Sequence, residues 1–125
     1  MEKLFIEATR GTPQINFDAE KKLLKLEGQS YPENAFKFYE PVFNWIDEYI
    51  QKFLSKELKV EVSLRYANTS SSKCILMILD KFEEAYIQGL PLSLDWYCDL
   101  ENESELETAE EFKEDISFPF NIISI

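Results

Sequence analysis

Residues 58–72, with the sequence LKVEVSLRYANTSSS, join an alternating apolar and polar pattern to a polar turn. Val60, Val62 and Leu64 alternate with charged or hydroxyl side chains, which predicts a strand over residues 58–67 with one buried face. The polar run Asn68–Ser72 follows at once. Beyond this run, apolar residues recur at helical spacing, at Ile75, Ile78, Leu79, Phe82 and Tyr86. The segment therefore predicts a strand that turns directly into a helix, which ends at Gly89.

The same patterns predict the remaining strands and helices. Strands are predicted at residues 4–8, in a hairpin over residues 14–28 whose second arm ends at Gly28, at residues 92–98 and at residues 117–125. A polar helix is predicted over residues 103–114. The order β-β-β-α-β-α-β-α-β indicates one α/β domain over residues 1–125. We expect a mixed, mainly parallel sheet of about six strands, with three main helices packed chiefly on one face.

The first helix is predicted to begin near Ser30, because Ser30 or Tyr31 can cap it and Pro32 is tolerated in a first turn. Pro41 predicts a kink, or a short helix before a longer one. One apolar stripe is assigned to the core and consists of Phe36, Tyr39, Phe43, Ile46, Ile50 and Phe53.

Composition limits the classes of partner and of chemistry. The chain has 13 basic and 24 acidic side chains, and its net charge of −11 disfavours nucleic acid and anionic membranes as partners. With no histidine in the chain, Ser-His-Asp and Cys-His catalysis and histidine-ligated zinc are excluded. Cys74 and Cys98 are expected to be buried, reduced thiols. We predict no catalytic residue, metal or cofactor and, because the N-terminus lacks an apolar signal segment, a cytoplasmic protein.

The turn at Asn68–Ser72 is the candidate modification site. Asn68 or Thr69 can cap the following helix, which leaves other hydroxyls near unpaired N–H groups at its positive end. A phosphoryl group there would gain donors and a favourable field, and would add about −1.5 to −2 charges to the surface. The simpler interpretation is that this run of polar residues only caps the helix.

Three other features are candidates for contact with a partner protein. Phe38, Trp45 and Tyr49 lie on a second apolar stripe of the first helix, which is either a docking face or buried under a neighbouring element. Lys73 and Met77 lie on the polar side of the second helix. Residues 99–115 hold nine carboxylates and only one lysine, a pattern typical of a solvated face, of steering toward a basic partner, or of a divalent-metal site.

Several motifs, spread over nearly the whole chain, resemble those of a known family. They are Glu7-Ala8-Thr9 with Thr12-Pro13, Ser30-Tyr31-Pro32-Glu33-Asn34, Asn68-Thr69-Ser70-Ser71, Gly89 and Pro91 with Leu94 and Trp96, and Glu110-Glu111-Phe112 with Glu114-Asp115 and Ser117-Phe118-Pro119-Phe120. In this order they are similar to the SiaC family of biofilm-regulating phosphoproteins. The turn also resembles the Asp-Ser-Ser-Gly phosphorylation turn of STAS-fold anti-sigma factor antagonists. It departs from that turn in having Asn68 in place of Asp and Ser71 in place of Gly.

The resemblance implies a STAS-like fold and a non-enzymatic partner switch. It implies that a histidine-kinase-like ATPase phosphorylates Thr69 and that a PP2C-type phosphatase removes the phosphate, with Ser70 as the rival acceptor. The unphosphorylated form is then expected to bind and activate a diguanylate cyclase, which raises cyclic di-GMP. The alternatives are a constitutive adaptor, a switch of the anti-sigma factor antagonist type acting on another target, and a small metal enzyme that uses the acidic residues.

Overall fold

Six strands of the computed structural model, which describes residues 1–125, form one sheet in the order β1-β2-β3-β4-β5-β6. The first three strands pair antiparallel, and β3 to β6 pair parallel. The elements in chain order are β1 (Leu4–Ile6), β2 (Gln14–Asp18), β3 (Leu23–Ser30), α1 (Ala35–Phe53), β4 (Leu58–Ala67), α2 (Thr69–Ile87), β5 (Leu92–Cys98), α3 (Glu103–Lys113) and β6 (Phe120–Ser124). This architecture confirms the predicted fold class.

One face of the sheet carries the core. Each parallel connection leads to the next strand in the same direction, so right-handed crossovers place all the helices on one side of the sheet. The contacts agree, since Trp45 of α1 meets Phe17 and Phe112 of α3 meets Trp96, both on the apolar face. The opposite face is polar and carries an ion pair of 2.7 Å between Lys59 and Asp95.

The start of α1 differs from the sequence prediction. Ser30 is the last residue of β3 and pairs with Ala67, because the parallel pairing with β4 continues to that point. The helix begins at Ala35, and its cap is Asn34, whose side chain accepts a hydrogen bond of 3.1 Å from the Lys37 amide. The assignment of Ser30 or Tyr31 as the cap was therefore wrong, since strand pairing competes with capping for the same residues.

Of the two alternatives predicted at Pro41, the short separate helix was wrong, because α1 is continuous from Ala35 to Phe53, and the kink stays a prediction. Pro41 lies on the exposed side, where the Lys37 carbonyl that loses its helical donor can be hydrated. Phe36 was assigned to the core, but it is exposed on the first turn of α1.

The second apolar stripe of α1 is mostly buried, so of the two alternatives given for it burial is correct for Trp45 and Tyr49, and neither is an exposed candidate for contact with a partner. Both side chains pack in the core, where they stack on each other with ring centroids 5.5 Å apart. The Trp45 indole donates a hydrogen bond of 2.8 Å to the Glu2 carbonyl, so the N-terminal segment helps to cover this stripe. Phe38 is half-buried and packs edge-on against Tyr39.

Gly28 was predicted to end the second arm of the hairpin, but it lies inside β3. Its φ of 134° is disfavoured for other residues, and the register with β4 shifts between Gly28 and Gln29. The shift leaves Arg65 of β4 without a paired residue in β3, so the irregularity lies in β4 opposite Gly28, and β3 continues to Ser30 beside the turn that begins α2. The predicted end of α2 agrees better, since Gly89 follows the helix with a φ of 118°.

Candidate functional site

Asn68, in the turn that follows β4, is hydrogen-bonded both to the first turn of α2 and to the end of β3. Its side chain accepts a hydrogen bond of 2.9 Å from the Ser71 amide, and its carbonyl accepts one of 2.9 Å from the Ser72 amide. The Asn68 amide donates a bond of 2.9 Å to the Ser30 carbonyl at the end of β3. Asn68 is thus the N-cap of α2 and ties the start of the helix to the sheet.

Thr69 is the first residue of α2, and both Thr69 and Ser70 are exposed to solvent. The first N–H groups of a helix have no partners within it and form the positive end of its dipole. A hydroxyl at this position can be reached by an enzyme, and a phosphate on it would lie in a favourable field. Thr69 therefore lies where the sequence places it, and its phosphorylation stays a prediction.

Ser71, by contrast, is completely buried. The Ser30 hydroxyl donates a hydrogen bond of 2.7 Å to the Ser71 hydroxyl, and the Ser30 and Tyr39 hydroxyls lie 2.8 Å apart. Because the Ser30 proton points to Ser71, the Tyr39 hydroxyl donates to Ser30. This chain of three hydroxyls joins α1, β3 and α2 directly beneath the exposed Thr69, and it makes Ser71 inaccessible as a phosphate acceptor.

The Tyr39 hydroxyl stays protonated over the whole physiological range. Burial raises its pKa to about 12, although the hydrogen bond with Ser30 acts in the opposite direction. A neutral, fully buried tyrosine can therefore serve as a permanent donor to Ser30. The positioning of the turn should accordingly not change with pH near neutrality.

An aromatic pair lies beside the turn. Tyr31 follows β3, Tyr66 is near the end of β4, and their rings meet edge-on with centroids 6.1 Å apart. The Tyr31 amide donates a hydrogen bond of 2.8 Å to the Gly11 carbonyl, and a Cβ atom on Gly11 would come within 3.2 Å of the Tyr31 ring. The loop before β2 is thereby held close to the turn, and two exposed aromatic rings border the surface around Thr69.

The structure separates the two partner candidates on α2. Lys73 is exposed, whereas Met77 is half-buried and packs against the core, so only Lys73 is fully available. Leu76 was missed by the sequence reasoning, although 45% of its surface is exposed. The helical pattern held a signal for it, since Leu76 is not part of the core stripe of α2 and lies one turn from the polar residues Ser72 and Asp80.

A groove of about 560 Å³ separates the first half of α2 from α3. Tyr66, Ser72 and Leu76 lie on one side of it, and Glu105 and Glu111 of α3 lie on the other. The groove thus adjoins the turn that carries Thr69. No part of the sequence pattern indicated it, because it depends on how far α3 lies from α2 on the sheet.

The carboxylates of residues 99–115 are spread along α3 and the segments at its ends. No three histidine, cysteine or acidic side chains of the chain come together in an arrangement that could hold a metal ion. None of the helices is both long enough and apolar enough to cross a membrane.

A family model described as SiaC family regulatory phosphoprotein matches residues 6–125. The chain belongs to the SiaC family. An uncharacterised protein of Pseudomonas aeruginosa strain UCBPP-PA14 is 42% identical over 122 residues, which cover 98% of this chain and 96% of that protein. The family resemblance inferred from the motifs is confirmed.

Solved structures of SiaC from Pseudomonas aeruginosa show the same fold. One is 39% identical with a TM-score of 0.93 and full coverage of both chains. A second is a complex in which SiaC is described as the activator of the diguanylate cyclase SiaD. That SiaC chain is 41% identical to this one, with a TM-score of 0.93 and coverage of 98% and 99%. The family is therefore regulatory, and one of its members acts on an enzyme that makes cyclic di-GMP.

Proposed function

We propose that the unphosphorylated chain binds and activates a diguanylate cyclase, and that phosphorylation of Thr69 ends this binding. The observation that carries the proposal is the exposed Thr69 hydroxyl at the start of a helix that is fixed from below by the buried hydroxyl chain. The family match and the similarity to an activator of a cyclase support the choice of target. In this proposal the chain is a non-catalytic regulator that acts in the cytoplasm.

The effect of the phosphate follows from the charges at the start of α2. Without phosphate, the free N–H groups and the positive helix end attract an acceptor or acidic group of a partner. A phosphate on Thr69 would occupy this position itself, repel such a group, and cost free energy to desolvate when a partner covers it. The switch then works by changing the surface and not by unfolding the helix, because Asn68 and Ser71 hold the first turn in place.

Two enzymes complete the proposal. A histidine-kinase-like ATPase would phosphorylate Thr69, and a PP2C-type phosphatase would restore the hydroxyl. Ser70 is exposed as well, so it is the natural comparison in every test of the acceptor. Residues that are buried, such as Ser71, are unsuitable as acceptors without local unfolding.

The test begins with pull-downs from native lysate, with wild type, Thr69→Ala and Thr69→Glu as baits, and with Ser70→Ala and Ser70→Glu as matched controls. The diguanylate cyclase recovered with the wild type is then purified and assayed for cyclic di-GMP production. We expect wild type and Thr69→Ala to activate it, and we expect Thr69→Glu to bind at least about tenfold more weakly, which corresponds to about 1.4 kcal/mol.

Intact-mass measurement of the chain from its host should show a species heavier by about 80 Da that is absent from the Thr69→Ala variant. Equal binding by all five baits, together with no added mass, would support a constitutive adaptor instead. Recovery of an anti-sigma factor in place of a cyclase would support a switch with another target.

A further inference from the structure

We propose that the groove between α2 and α3 holds a cationic segment of the cyclase partner that inserts an apolar side chain between Tyr66 and Leu76. This inference rests on the proposed function and adds to it the chemistry of the docking surface. The groove is close to the turn with Thr69, but it is a different part of the surface and makes different demands on a partner.

The floor of the groove is apolar. Leu64 and Phe112 contribute core side chains, and Tyr66 and Leu76 remain 54% and 45% exposed. Large apolar side chains that are exposed next to one another gain free energy when a partner covers them, by roughly 25 cal/mol for each Å² removed from water. This part of the surface therefore fits an apolar anchor.

The rim of the groove is acidic. Glu105, Glu111 and Asp115 line it, against Arg65 as the single basic residue. Two of these acids, Glu111 and Asp115, are one turn apart near the end of α3 and are exposed. A partner segment with lysine or arginine beside its apolar anchor matches this charge, whereas an acidic segment would be repelled.

The groove and the turn form one continuous surface. Thr69, Ser72 and Leu76 are spaced three and four residues apart, so they lie along one side of α2, and Ser72 lines the groove. The two ends of this surface differ in charge, because the start of α2 is positive and α3 is negative. The partner that fits carries an acceptor group over Thr69 and cations over α3, and a phosphate on Thr69 repels only the first of these.

Two pairs of variants test the groove against matched controls. Leu76→Gln removes the apolar anchor site, and Ile87→Gln makes the same change at the far end of α2, where Ile87 is 73% exposed. Glu111→Lys reverses a rim charge, and Glu107→Lys makes the same reversal on α3 outside the groove, so each charge variant has a net charge of −11 + 2 = −9. Affinity for the purified cyclase is measured by calorimetry at two salt concentrations, and circular dichroism confirms that each variant is folded.

The groove variants should bind about tenfold or more weakly, while the controls stay within about twofold of the wild type, because only a direct contact distinguishes the two members of a pair. Equal loss in Glu111→Lys and Glu107→Lys would mean that net charge alone matters, and it would overturn the inference. Wild-type affinity in Leu76→Gln and Glu111→Lys, with weak binding by Thr69→Glu, would overturn the inference but leave the switch intact. Failure of the wild type to bind any cyclase would overturn both.

Discussion

Removal of the Ser30 hydroxyl should cost more stability than the loss of a single hydrogen bond. Ser30, Tyr39 and Ser71 are fully buried, and Ser30 is the middle member of their hydroxyl chain. In Ser30→Ala, the Tyr39 donor loses its acceptor and the Ser71 hydroxyl loses its donor. Because a buried polar group left without a partner costs about 1–3 kcal/mol and two groups are affected, we expect a decrease of about 2–6 kcal/mol in the free energy of unfolding.

Two tyrosine variants give reference values with which the loss of stability in Ser30→Ala can be compared. Tyr39→Phe removes one hydrogen bond but leaves Ser30 bonded to Ser71, so it should cost about 1 kcal/mol. Tyr49→Phe makes the same change at a buried hydroxyl that has no partner, so it should leave stability unchanged or raise it by up to about 1 kcal/mol.

Urea denaturation followed by tryptophan fluorescence measures all three variants, and equal m-values would show that they unfold in the same manner. The predicted order of stability is Tyr49→Phe, then Tyr39→Phe, then Ser30→Ala. A Ser30→Ala variant as stable as Tyr39→Phe would refute the hydroxyl chain as a source of stability. A Tyr49→Phe variant less stable than Tyr39→Phe would refute the assignment of Tyr49 as the unpaired hydroxyl.

Two further predictions concern the cap of α2 and the polar face of the sheet. Asn68→Ala should lower the free energy of unfolding by about 1 kcal/mol in a denaturant titration, and the matched Asn34→Ala at the cap of α1 should lower it by the same amount. Only Asn68→Ala should change the rate at which the kinase phosphorylates Thr69. Equal rates for both variants would contradict the role of the cap in presenting the acceptor. Burial opposes ionisation of Asp95, but hydrogen bonds from Lys59 and a nearby amide outweigh it and lower its pKa. The carboxylate therefore stabilises the fold above its unfolded pKa of about 3.9 and loses this effect as the pH falls through the lower folded value. The stability difference between wild type and Asp95→Asn should be largest near pH 6 and shrink below about pH 4 in acid denaturation, and a constant difference would contradict the shift.

Local patterns were sufficient to predict the strands and helices, because most of them bury only one face. In β4, β5 and α2 the buried residues follow the predicted apolar pattern, and Asn68 and Gly89 lie at the two ends of α2 as expected. The exposure of Thr69 was also predictable, since a helix start at the edge of a sheet faces solvent. These features depend on residues that are close together in the sequence, so the sequence pattern alone is enough to predict them.

The errors concern residues whose state depends on distant partners. Ser30 is suitable both as a helix cap and as a strand end, and pairing with β4 decided between the two. Trp45 lies on a helix that is apolar over a wide arc, and only its contacts with Phe17 and with the N-terminal segment show that it is buried. Leu76 shows a different case, because it lies off the core stripe of α2, and only the structure shows that it lines the groove beside α3.

The sequential order of the strands has a consequence for synthesis of the chain. Every strand pairs with the one that precedes it, so no strand waits for a later segment to be inserted between it and its neighbour. As the polypeptide leaves the ribosome, each new strand can add to the edge of the sheet already formed, and the last strand, β6, only extends it. The surface around Thr69, built from β3, β4 and α2, should thus exist before α3 adds the second wall of the groove.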